Sequence, residues 1–167
     1  MKKLIAWVML IFVALSLWYL SSQPNLLAIP VLKKVHYFLI DHGINAKVLL
    51  AKIEYSEKLR PIYDVLRQHP NLSEFIVRKI AHVVVFFVFT ISVFLLLGSY
   101  LKRFYSVFVL TGLITLGVAV IDEIHQSFVP GRAGKWLDVG IDSLGVILAL
   151  VRLTFTELIN NFRQKNN

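Results

Sequence analysis

Asp122, Glu123 and His125 stand almost together, followed by Gln126 and, past a Pro130-Gly131 pair, by Arg132. Asp138 and Asp142 come next, and upstream Arg78 and His82 flank Lys79. Arg78 and His82 are four residues apart, as are Asp138 and Asp142, so each pair shares one face of a helix. A carboxylate beside an imidazole can move a proton, which makes Asp122 or Glu123 with His125 the candidate acid/base set. Arg78 and Arg132 offer planar donors suited to a phosphate or carboxylate. His82, Gln126, Asp138 and Asp142 complete a candidate ligand-binding set. The same groups can instead form an interhelical salt-bridge and capping network that only fixes the fold. A divalent metal is the secondary reading: zinc accepts such nitrogen and oxygen ligands. Without an HExxH arrangement or a diagnostic ligand order, neither a metal nor another cofactor is expected. Ser127 and Ser143 have no surroundings that mark a nucleophile.

The elements that carry these residues are apolar. Of 167 residues 57% are hydrophobic, twelve of them Phe, and they are gathered into runs, as in membrane spans. The chain has no cysteine, which excludes disulfides, thiolate metal sites and a Cys nucleophile. The net charge of +8 follows from Lys and Arg flanking the apolar runs, where they set topology and meet anionic headgroups. No basic run is interleaved with aromatics as single-strand binding requires, so nucleic acid is not an expected partner.

Four spans are expected, at about 4–20, 75–97, 104–128 and 136–158, within one membrane domain covering 1–167. Each is long enough to cross a hydrocarbon core of about 30 Å. The first follows Met1-Lys2-Lys3 and resembles a signal peptide, but its run is long and Ser21-Ser22-Gln23-Pro24 gives no convincing cleavage pattern. It is read as an uncleaved span, with a cleaved signal as the alternative. Residues 21–74 form an extramembrane segment punctuated by Pro24, Pro30, Pro61 and Pro70. Short amphipathic helices are expected there, such as Pro30 to Ile40 and Ala46 to Leu59, lying along headgroups or capping the bundle. Asn71 with Glu74, or Ser73 alone, offers the start of the next helix. His36, His42 and His69 are expected to be surface or interfacial residues.

Thr111, Thr115, Ala119, Asp122 and Gln126 recur at three- and four-residue steps and form one small and polar stripe. Glu123 is turned from it by about 100° and is expected to face another neighbour, whereas His125 lies on nearly the same face. Asp138, Asp142, Gly145 and Ala149 form a second stripe, its carboxylates in the first turns of a helix where the dipole favours negative charge. Its small residues allow close helix contact. Positive charge near Lys2, Lys3, Lys102, Arg103, Arg163 and Lys165 is expected to hold both termini and the 98–103 turn in the cytoplasm. The polar stripes then end together at the outer face. An Asp at the centre of a membrane helix costs roughly 2.5–3.5 kcal/mol, so these carboxylates are expected to face the interior or a wet cleft.

The run from Asp122 to Arg132, with Asp138, Asp142 and Gly145 behind it, closely resembles the signature of the VanZ-like membrane protein family. Arg78-Lys79-Ile80-Ala81-His82 with Phe86 resembles a second block of that family, and Ser21-Ser22-Gln23 a third, shorter one. The DExxQxFxPGR core is the specific part. Asp142 departs from the pattern, standing where many members have Asn. The resemblance implies an all-α integral membrane four-helix bundle of the cytoplasmic membrane. The family takes its name from a member associated with low-level resistance to the glycopeptide teicoplanin.

The expected partners are therefore the lipid bilayer and a lipid-linked envelope precursor or glycopeptide, bound or modified near the outer face. In a binding role Arg78 and Arg132 hold an anionic group while carboxylates meet hydroxyls or amines. In a hydrolase or transferase role Asp122 or Glu123 moves a proton with His125. In a third, structural role the cluster only holds the fold or an assembly. Oligomeric state is left open by the sequence.

Overall fold

Apolar runs of this length become helices because lipid offers the backbone no partners, so each N–H must bond within its own segment. The structure is a computed structural model describing residues 2–23, 28–42, 60–132 and 134–165. These residues form six helices: α1 (Lys2–Ser22), α2 (Ala28–Asp41), α3 (Arg60–Gln68), α4 (Pro70–Gly98), α5 (Phe104–Ser127) and α6 (Trp136–Lys165). α1, α4, α5 and α6 are long and apolar enough to cross a membrane, with mean hydropathies of 2.2, 2.8, 2.2 and 1.7. No strand occurs among the described residues. The all-α membrane architecture expected from the sequence is the observed one.

The boundaries differ from the expected ones for physical reasons. α4 begins at Pro70, before the expected start signals, and Ser73 already lies inside it with its hydroxyl donating to the His69 carbonyl. Proline is favoured in a first helical turn, where its missing N–H has no partner to lose. Pro61 in α3 follows the same rule, so a residue expected to punctuate a loop opens a helix instead. α6 continues to Lys165, beyond the expected apolar span, because Glu157, Leu158, Arg163 and Gln164 are all good helix formers. α2 matches the expected Pro30 to Ile40 piece, whereas the expected Ala46 to Leu59 piece lies outside the described residues.

The chain divides into two compact units, residues 1–25 with 81–167, and residues 26–80. In the second, α2 ends with His42 stacked on Phe38 at 4.2 Å, its Nδ1 at 2.8 Å from the Phe38 carbonyl. His42 and His69 are exposed. In the first unit, α5 packs against both α1 and α6. Its core is a layer of Leu17, Phe86, Ala119 and Val146, one residue from each long helix. Large apolar side chains such as Leu4, Phe12, Leu113, Ile147 and Phe155 point outward, as lipid contact requires. Inside, Thr90 and Thr115 donate to carbonyls four residues back, which satisfies their hydroxyls within one helix.

The two expected stripes are the interior faces. Thr111, Thr115, Ala119, Asp122 and Gln126 of α5 are all buried, as are Asp142, Gly145 and Ala149 of α6. At Gly145 α6 comes close to the backbone of α4: a Cβ there would run into the Val83 carbonyl oxygen.

Candidate functional site

One helical turn beyond the Leu17–Phe86–Ala119–Val146 layer the chemistry changes. Four residues on from Leu17 is Ser21, and four back from Phe86 is His82. Three and four on from Ala119 are Asp122 and Glu123, and four back from Val146 is Asp142. Helical spacing keeps each on the face of its apolar partner, so all enter one polar layer.

His82, Asp122 and Asp142 come from three different helices, yet their donor atoms all lie within 4.8 Å of one another. His82 Nδ1 is 3.2 Å from Asp142 Oδ1. The Gln126 amide donates to Asp122 Oδ2 at 2.7 Å. Asp122 is 6% exposed and Asp142 1%, so both carboxylates are largely removed from water. Two ionised carboxylates within 4.8 Å of each other would repel by roughly 3–4 kcal/mol at an effective dielectric near 20. Asp122 has no Lys or Arg partner among the described residues.

Glu123 and His125 are directed elsewhere. Glu123 Oε1 accepts the backbone N–H of Lys135, which ties the 128–135 connection to the end of α5. Gly134 folds against that same end, where a Cβ would lie 2.8 Å from the Glu123 carbonyl oxygen. His125 stacks on the Trp18 indole with ring centres 4.1 Å apart. Its Nε2 lies 3.0 Å from Ser22 Oγ. The Ser22 hydroxyl donates its single hydrogen to the Trp18 carbonyl, so in this contact His125 Nε2–H is the donor. Asp122, Glu123 and His125 therefore face three different sets of neighbours.

Arg132 is aimed by a turn its neighbours dictate. The Arg132 N–H bonds to the Val129 carbonyl at 3.1 Å, with Pro130 and Gly131 between them and Gly131 at φ 79°. Proline followed by a left-handed glycine is the requirement of a type II turn. The guanidinium then donates from Nη1 to the Ser21 carbonyl and from Nη2 to the Leu20 carbonyl, both at 3.2 Å. It thus caps the C-terminal end of α1, where the helix dipole favours a cation. Asp138 lies in the first turn of α6, half-buried. Arg78 precedes His82 by one turn of α4 and belongs to the other compact unit.

Three contributors were not among the candidate site residues. Trp18 holds His125, and Ser21 and Ser22 supply contacts through a backbone carbonyl and a hydroxyl. Their signal in the sequence was positional: Ser21 lies four residues beyond Leu17, at the end of an apolar span. Ser21 is fully buried, and its hydroxyl has no hydrogen-bond partner among the described residues.

Four apolar helices enclosing a buried polar layer at one end define a multi-pass integral membrane protein. Within that class the chain belongs to the VanZ/LLP1 family, whose model matches residues 3–157. The match covers α1 from Lys3, all of α4 and α5, α6 as far as Glu157, and every residue of the polar layer. No curated protein matches the chain, and no solved structure does.

Proposed function

We propose that the chain acts in the cell envelope from the cytoplasmic membrane, with both termini in the cytoplasm and the polar layer near the outer face. There it binds, or binds and modifies, a lipid-linked envelope ligand or a glycopeptide, the role that the teicoplanin-resistance label of the family suggests. The observation that supports this reading most is the His82–Asp122–Asp142 cluster. Three helices bring polar side chains to one buried point, at a cost that structure alone does not explain. In an enzymatic version the proton-moving pair is Asp122 with His82, because His125 is engaged by Trp18 and Ser22.

Expression in a glycopeptide-sensitive host tests this. Asp122→Asn and His82→Gln are near-isosteric, and each should abolish any rise in teicoplanin tolerance while the membrane level of protein stays unchanged. Full tolerance in both variants would overturn the reading. Orientation is read separately by single cysteines, for which the cysteine-free chain is a clean background. Ser127→Cys should react with an impermeant reagent in intact cells, and Lys102→Cys should not.

A structural role is the second reading, favoured by one specific set of contacts: Glu123, His125 and Arg132 each tie one chain segment to another. On that reading the same variants lower the protein's level in the membrane instead of its effect.

A further inference from the structure

We propose that His82, Asp122 and Asp142 hold a first-row divalent metal ion in the polar layer. This assignment rests on the geometry of the layer and not on the outer-face or resistance reading.

The donor set is mixed, one imidazole nitrogen and two carboxylates, as zinc and manganese accept. Donors about 2.1 Å from one ion lie roughly 3.0–3.4 Å apart in octahedral or tetrahedral geometry. His82 Nδ1 and Asp142 Oδ1 are 3.2 Å apart, already at that spacing. All three donors fall within 4.8 Å, so a carboxylate rotation of an ångström or so closes the set. The Gln126 amide holds the second oxygen of Asp122, as outer partners orient metal-binding carboxylates. A divalent ion would also offset the mutual repulsion of the two buried carboxylates when both are ionised.

A second observation lies at the same level of the bundle. The Ser21 hydroxyl is fully buried and unpartnered among the described residues, and it stands one helical turn from Leu17, as Asp122, Asp142 and His82 stand one turn from the other members of the apolar layer. The buried hydroxyls of Thr90, Ser92 and Thr115 are satisfied by their own helix, whereas that of Thr111, about three turns away along α5, is like Ser21 unpartnered among the described residues. A water on an ion held there would offer the Ser21 hydroxyl the partner that its helix does not. With three protein ligands the ion keeps open positions for such a water or for an anionic oxygen of a ligand.

The test uses the full chain, tag removed, purified in detergent, stripped with chelator and titrated with Co2+ at neutral pH. With no cysteine present, the visible spectrum reports nitrogen and oxygen ligation alone. We expect one Co2+ per chain, displaced by Zn2+. His82→Gln, Asp122→Asn and Asp142→Asn should each weaken binding by about 100-fold or more, and Gln126→Leu by about 10- to 100-fold. His42→Ala, an exposed histidine outside the layer, should bind as the parent does. Zn2+ should also raise the melting temperature of the parent chain, a readout that survives if a variant fails to fold. The absence of binding or stabilisation in the parent overturns the assignment. So does binding that His82→Gln retains and His42→Ala loses. Tolerance in cells is a separate measurement, so a failed resistance assay beside intact Co2+ binding would leave the metal site standing.

Discussion

The two ends of the four-helix unit solve opposite problems. At the end where α1 starts and α4 stops, Trp7 Nε1 donates to the Tyr100 hydroxyl at 3.2 Å, and Lys3 Nζ sits 4.4 Å above the Tyr100 ring. Lys3, Trp7, Tyr100, Lys102 and Arg103 are all exposed there. Amphipathic rings and cations at a water-facing boundary are what a headgroup interface selects. At the other end Ser21, Asp122, Glu123, Gln126 and Asp142 are buried. Exposed polar contacts are exchangeable with water and carry little energy, whereas buried ones are costly to leave unmade. The first end anchors, and the second has both its geometry and its energy concentrated in a few side chains.

The strongest way to break this comparison is Gly145→Val. Its Cβ would enter the Val83 carbonyl, with Phe86 Cβ and Phe87 N also within 3.1 Å, so backbone and not a flexible side chain must yield. Separating α6 from α4 dismantles the polar layer, and a loss of about 3 kcal/mol is expected. Thermal unfolding in detergent and protein level in the membrane fraction both report it. Gly98→Val provides the contrast, since nothing lies near its added Cβ and a far smaller loss is expected.

Arg132→Ala comes next. It leaves the Leu20 and Ser21 carbonyls without their charged donor, at a cost of about 2 kcal/mol. Arg132→Lys should recover only part of this, because a point-like ammonium does not reproduce the fork that spans two carbonyls. Full recovery by Lys would mean that the interaction with α1 is one of charge and not of geometry.

Much of this was legible in the sequence. The spans follow from the length of the apolar runs, and the two small and polar stripes and the departure of Glu123 from the Asp122 face follow from the 3.6-residue period. His125 shows the limit. Its register puts it near the Asp122 face, but a large ring on a helix end is steered by what packs beside it. The pairing of Trp18 with His125 joins residues 107 positions apart, which no local pattern encodes. Arg132 was legible as a cation after a Pro-Gly turn. Its target was not, because the carbonyls of α1 are backbone groups without residue identity. The Ser21 hydroxyl was hidden for a related reason: only the packing of Leu17 shows which way that face of α1 looks.

Tyr100→Phe carries the smallest expected effect and makes the finest distinction. It removes the hydroxyl that accepts from Trp7 and leaves the ring beneath Lys3 intact. Trp7 and Tyr100 are exposed, so water or a lipid headgroup replaces the lost partner, and a change below about 0.5 kcal/mol is expected. Tyr100→Ala also removes the cation–π contact, usually about 0.5–1 kcal/mol at exposed sites, so the two variants together apportion the end between hydroxyl and ring. Thermal unfolding resolves the difference if Arg132→Ala is measured under the same conditions. If Tyr100→Phe cost as much as Arg132→Ala, the Trp7–Tyr100 contact would be a desolvated structural bond. The energetic division between an anchoring end and a buried polar end would then fail, because both ends would depend on bonds that water cannot replace.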